Sequence, residues 1–77
     1  MDFQTVYKAW HRKLWYYCNN ILWSNHIQGH WELAEDFVQE VFIEAYKKWD
    51  KFEEEANVKS FMFLCAKNRC FNKIKET

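Results

Sequence analysis

Proline is absent from these 77 residues, and Gly29 is the single glycine. Sheets joined by tight turns need residues that supply a positive or a fixed φ. Their scarcity disfavours a strand-rich fold and favours a few long helices with few connections. The net charge is zero, which removes the simplest argument for a nucleic-acid partner, a basic isoelectric point. No apolar run approaches the roughly 20 residues of a membrane span. The N-terminus lacks the basic-then-apolar order of a secretory signal, so the chain reads as cytosolic. Cys18, Cys65 and Cys70 are odd in number and show no CxxC spacing, so they read as small buried thiols. His26 and His30 are four apart but flank Gly29 in a stretch without helical period, and a zinc site shared with Cys18 is the weaker reading. No nucleophile–base pair or glycine-rich phosphate loop occurs, and no metal, cofactor or enzymatic activity is expected.

What the chain does have is apolar mass. Nearly half its residues are hydrophobic and a fifth are aromatic, which suits a dense core in a domain close to the lower size limit for independent folding. The periodicity predicts an all-α, compact three-helix fold with helices over about residues 2–22, 32–51 and 57–75. Phe3, Val6, Tyr7, Trp10, Leu14, Tyr17, Cys18 and Ile21 supply the stripe of the first helix. In the second, Ala34, Phe37, Val38, Val41, Phe42 and Ala45 recur at helical spacing. Acidic first turns and Lys47, Lys48 and Lys51 at the far end complement that helix's dipole. Asn57 reads as the N-cap of a third helix whose apolar positions are Val58, Phe61, Met62, Leu64, Cys65 and Phe71.

The zero net charge hides a strong segregation. Residues 1–31 carry three basic groups and one acidic, residues 32–55 three basic and nine acidic, and residues 56–77 five basic and one acidic. Asp36, Gln39, Glu40 and Glu44 lie off the buried stripe of the second helix, with no lysine or arginine before Lys47 to pair with them, which suits a partner-binding surface. On the third helix, Lys59, Lys67, Arg69, Lys73 and Lys75 suit phosphates, while Ser60, Asn68 and Asn72 suit base edges or sugars. Phe61 and Phe63 offer flat rings, although a core role comes first for Phe61. The bland alternative is that the acidic and basic helices attract each other across the bundle, making a small helical interaction module with no DNA role.

The run Ala34-Glu35-Asp36-Phe37-Val38-Gln39-Glu40-Val41-Phe42 resembles region 2 of the extracytoplasmic-function RNA polymerase sigma factors, whose pattern is Ala-Glu-Asp-(apolar)-Val-Gln-(Glu/Asp)-Val-Phe. The resemblance resumes at Asn57-Val58-Lys59-Ser60-Phe61-Met62-Phe63 and at Ala66-Lys67-Asn68-Arg69-Cys70, similar to the family's Ala-Arg-Asn signature, and is closest to the versions found in Bacteroidetes. It implies that the second helix docks on the β′ clamp helices of core RNA polymerase through Asp36, Gln39 and Glu40, with Phe42, Ile43 and Tyr46 as apolar additions. It also implies that the third helix and the loop before it recognise the promoter −10 element as it opens, chiefly its non-template strand. Phe52, Asn57, Val58 and Lys59 then fall at the pocket for a flipped base, and Lys67, Asn68, Arg69, Asn72 and Lys73 on the helix face meeting DNA. Many such proteins are held by a membrane-anchored anti-sigma factor that masks these surfaces.

The chain departs from the family pattern in four places. Phe61 stands where tryptophan is common, and Asn72 where many members have aspartate. Glu53-Glu54-Glu55 is acidic for a surface near phosphates. The second, helix-turn-helix domain that reads the −35 element has no counterpart, so the chain is expected to be an excised domain or a truncated form. The resemblance further leads one to expect Asp36, Gln39 and Glu40 on one exposed patch, separate from Asn68 and Arg69.

Overall fold

The computed structural model describes residues 1–76, which form three helices: α1 (Phe3–Ser24), α2 (His30–Lys47) and α3 (Glu55–Glu76), with a single 3-10 turn at Trp49–Lys51 between the last two. Their contacting faces enclose one core of fourteen hydrophobic side chains, and no polar side chain of the described residues is buried with them. α1 contributes Val6, Leu14, Cys18 and Leu22; α2 contributes Ala34, Val38, Val41, Phe42 and Ala45; α3 contributes Val58, Met62, Ala66 and Cys70. Ile27, from the first connection, completes it.

Each helix end has an identifiable cause. Asp2 caps α1, its Oδ2 accepting from the Thr5 backbone N–H at 3.1 Å and from the Thr5 hydroxyl at 2.9 Å. Those bonds, the side-chain one first, hold the Asp2 carboxyl below its ordinary value. α1 ends in a Schellman motif without glycine. His26 takes the left-handed conformation at φ 59°, its N–H reaching the Trp23 carbonyl at 3.0 Å, while the Ile27 N–H reaches the Leu22 carbonyl at 3.0 Å. Ile27 and Leu22 are both buried, so the motif carries its usual apolar contact. Gly29 then turns the chain into α2 at φ 67°, with no atom within 4 Å of where a Cβ would sit, so an alanine there would meet backbone strain and no clash.

The expected boundaries shift in three places. α1 runs one residue later at its start and two later at its end than 2–22. α2 begins at His30 and stops at Lys47, because the chain tightens into the 3-10 turn that the 32–51 expectation absorbed into the helix. α3 begins at Glu55, so Asn57 is not its N-cap. Asn57 sits in the first turn, where its Oδ1 accepts from the Glu54 backbone N–H at 3.1 Å, the reciprocal half of a capping box. The expected stripe of α3 is also corrected. Leu64 and Phe71 are exposed, and the buried positions recur every four residues at Val58, Met62, Ala66 and Cys70.

Cys18 and Cys70 are both buried where α1 meets α3, with the Cys70 Sγ 3.9 Å from the Cys18 carbonyl oxygen; Cys65 is only half-buried. The neighbouring Cys70 thiol, and then burial, hold the Cys18 thiol well above its ordinary range, so it stays protonated. His30 Nδ1 lies 2.6 Å from the Asn19 Oδ1, which makes the ring nitrogen the donor and ties the start of α2 to α1. Among the described residues no group of three His, Cys, Asp or Glu side chains is placed to hold a metal, and no helix is long and apolar enough to cross a membrane.

Candidate functional site

Two outward surfaces carry unsatisfied chemistry. The first lies along α2 and the start of α1. Phe3, Tyr7, Gln39, Phe42, Ile43, Tyr46 and Lys47 line an open, mostly apolar groove of about 470 Å³. It exists because the N-terminal turns of α1 run beside the C-terminal half of α2. Phe3 packs edge-on to Tyr46 at 5.2 Å and to Phe42 at 6.2 Å, and Tyr7 lies 4.7 Å from Phe42 between ring centroids. Tyr46 is 64% and Ile43 55% exposed, large values for side chains of this size flanked by other apolar groups. Asp36, Gln39 and Glu40 are exposed on the same helix, Gln39 on the groove wall itself. Phe42, expected to contact a partner, is 4% exposed and serves as groove floor and core.

The second surface belongs to α3. Ser60, Leu64, Lys67, Asn68, Phe71 and Asn72 are all exposed and share its outward side. Of the other residues expected to meet DNA, Lys59 is exposed with its ammonium 4.9 Å from the Trp10 ring. Lys73 is half-buried and pairs with Glu76 at 3.5 Å. Asn57 is exposed, but its carbonyl oxygen is used at the helix cap. Phe52 is half-buried between Trp49, at 6.2 Å, and Phe61, at 5.3 Å. Val58 is fully buried, so it is a core residue and presents nothing to a base; this removes it from the expected pocket. The rings of Phe61 and Phe63 are likewise occupied. Lys48 lies over Phe61 at 5.0 Å, and Tyr17 and Trp10 pack edge-on to Phe63 at 5.0 and 6.1 Å.

The two surfaces touch, against the separation that the resemblance leads one to expect. Glu40 Oε2 meets Arg69 Nη1 at 2.6 Å across α2 and α3, with half of the Glu40 side chain and a third of the Arg69 side chain exposed. Glu40 and Arg69 therefore form a seam between the patches and belong to both. The attraction between acidic and basic helices is real at this point, but Asp36 and Gln39 remain exposed beside it.

Sequence reasoning missed Phe3, Tyr7 and Lys47 as groove walls and Trp10 and Lys13 as neighbours of Lys59. A signal for the groove was present: Ile43 and Tyr46 add apolar residues to α2 outside its buried stripe, and such an excess marks a covered face. Leu64 and Phe71 gave the same signal on α3 but were absorbed into its core stripe.

The sigma-70 region 2 family model matches residues 6–77, nearly the whole chain and all three helices. No curated protein and no solved structure gave a significant match. The all-α fold and the positions of the matched segments on α2 and α3 agree with that assignment, and the chain belongs to the sigma-70 region 2 family, a non-enzymatic part of transcription initiation factors that binds RNA polymerase and recognises promoter DNA.

Proposed function

We propose that this domain is the region 2 of an extracytoplasmic-function type sigma factor, working in the cytoplasm, with its two jobs divided between α2 and α3. The α2 groove and its exposed rim dock on the β′ clamp helices of core polymerase. The observation that carries this reading is the juxtaposition, along α2, of an open apolar groove shared with α1 and the exposed polar groups Asp36 and Gln39. Ile43, Tyr46 and Phe3 supply apolar area to be buried, and area of this kind sets affinity when it is concentrated in a few large side chains. Asp36 and Glu40 steer a basic helical partner and fix its register. An anti-sigma factor competing for the same groove would silence the domain without touching its DNA face.

α3 then receives the −10 element, largely as single-stranded non-template DNA. Lys67, Asn68 and Asn72 supply one continuous polar side, and exposed Phe71 and Leu64 add surface against which an unstacked base can rest. Phe52, in the connection before α3, and Asn57 and Lys59, in the first two turns of α3, stand where a flipped base would sit. Glu53, Glu54 and Glu55 are exposed there and oppose a phosphate, so the backbone path must pass on the lysine side.

The experiment is binding of the domain to a purified β′ clamp coiled coil, with Asp36→Ala and Gln39→Ala beside wild type and helicity checked by circular dichroism. Salt-sensitive binding weakened several-fold by each substitution is the expected result. A well-folded wild-type domain that does not bind would leave the second reading, a helical interaction module, which the Glu40–Arg69 pair favours because there the two charged helices do satisfy each other.

A further inference from the structure

We infer that Trp10, Lys13 and Lys59 form a phosphodiester-binding subsite for single-stranded nucleic acid at the junction of α1 and α3. The inference rests on the DNA half of the reading above and extends that surface onto a helix it did not include. Lys13 Nζ lies 4.8 Å and Lys59 Nζ 4.9 Å from the centroid of the same indole ring. The first comes from the next turn of α1 and the second from the second turn of α3, so the cluster exists only because the two helices pack. Neither lysine is in an ion pair among the described residues.

An aromatic face attracts an ammonium through its quadrupole but carries no net charge, so it gathers cations without neutralising them. Two ammonium groups held against one ring are at most roughly 10 Å apart, about one Debye length at 0.1 M salt. They therefore repel each other, and anionic oxygens that reach both ammonium groups relieve that repulsion. Glu55 is the carboxylate in contact with the cluster, its Oε2 accepting from the Trp10 indole N–H at 3.3 Å. That bond fixes the ring edge, and the single charge of Glu55 leaves the cluster with an excess of one positive charge. Phe63 packs edge-on to the indole at 6.1 Å and, with the Glu55 bond, holds the ring before a ligand arrives.

The ligand this fits is a hard, multi-oxygen anion attached to something flat or apolar that can lie along the half-buried indole, and a nucleic-acid backbone meets that description. Lys59 lies in the second turn of α3, close after the connection expected to hold the flipped base, so a strand leaving that connection on the lysine side runs onto Trp10 and Lys13. Lys13 takes this role from Lys59, its partner on the same indole from another helix, and not from its own helix face.

The test is fluorescence anisotropy of a labelled oligo-dT with the whole chain, over a series of KCl concentrations. Lys13→Gln/Lys59→Gln is compared with Lys8→Gln/Arg12→Gln, which removes the same charge from exposed positions elsewhere on α1. Each single-strand phosphate contact contributes about 0.7 to the slope of log affinity against log salt, so loss of two contacts should lower the slope by about 1.4, with several-fold weaker binding at low salt. The control pair should leave the slope unchanged. Equal slopes for the two double variants would overturn the subsite while leaving the DNA reading in place. Failure of the wild type to bind oligo-dT at low salt would overturn both. Unchanged affinity of Lys13→Gln/Lys59→Gln for the clamp coiled coil is expected in either case.

Discussion

α2 and α3 bury comparable stripes against the same core, yet they show solvent different things. On α2 the exposed apolar side chains, Ile43 and Tyr46, stand next to Phe3 and Tyr7 of α1 and merge into one groove bordered by acids and an amide. On α3 the exposed apolar side chains, Leu64 and Phe71, are two turns apart among lysines and asparagines. Exposure alone does not define a docking surface; a second element alongside does. A gathered apolar patch suits a rigid helical partner with a continuous ridge. Isolated apolar side chains between amides and ammonium groups suit a flexible polyanion whose bases arrive one at a time.

The largest effect should come from beneath both faces. Met62 is fully buried, and Met62→Ala removes about 2–5 kcal/mol from a domain whose whole stability lies at the low end of about 5–15 kcal/mol. Urea titration should show the transition moved close to zero denaturant, with clamp and oligo-dT binding lost together. Loss of one activity alone would break the comparison by showing that the faces do not share a core. Next in size is Ile43→Ala/Tyr46→Ala, which strips the groove. Clamp affinity by calorimetry should fall at least tenfold, about 1.4 kcal/mol, while oligo-dT affinity stays the same. An equal fall in both would mean that the groove also serves DNA.

A smaller effect sits on the seam. A double-mutant cycle of Glu40→Gln and Arg69→Gln, read by thermal unfolding, should give a coupling of about 0.2–1 kcal/mol, because both side chains are partly solvated. No measurable coupling would detach the two patches and restore their independence. The smallest effect concerns Asp2, whose cap starts the turn that carries Phe3 to the groove. Its carboxyl is held below its ordinary value of 3.8, so its contribution is present above that pH and lost as the pH falls through the lowered value. Wild type should therefore lose its small advantage in melting temperature over Asp2→Asn between neutral pH and strongly acid pH. A constant difference would show that the cap does not depend on charge.

Helix number, order and the first connection were legible because apolar spacing reports them directly. The ends were less so. The α1 terminus is made by His26 in a conformation usually left to glycine, which no composition rule flags. The α3 stripe was misread for a different reason. Ala66 and Cys70 weigh little in hydropathy beside Leu64 and Phe71, yet small side chains are what allow α3 to approach α1 closely enough for Cys18 and Cys70 to meet. The candidate surfaces were legible where they follow helix spacing, as with Asp36, Gln39, Asn68 and Asn72. They were not legible where they depend on a neighbour from another helix, as with Glu40 and Arg69, the groove walls, and the pair of lysines on Trp10.

The rings that begin in the groove do not stop there. Phe3 lies 5.1 Å from Trp49, Trp49 6.2 Å from Phe52, and Phe52 5.3 Å from Phe61, a line of aromatic contacts running from α1 through the connection before α3. That connection contains no proline or glycine to stiffen or steer it. Anchoring a residue of chain costs about 1–2 kcal/mol in backbone entropy. Here the aromatic line meets that cost when the domain folds, so any ligand that reaches Phe52 finds the connection already ordered.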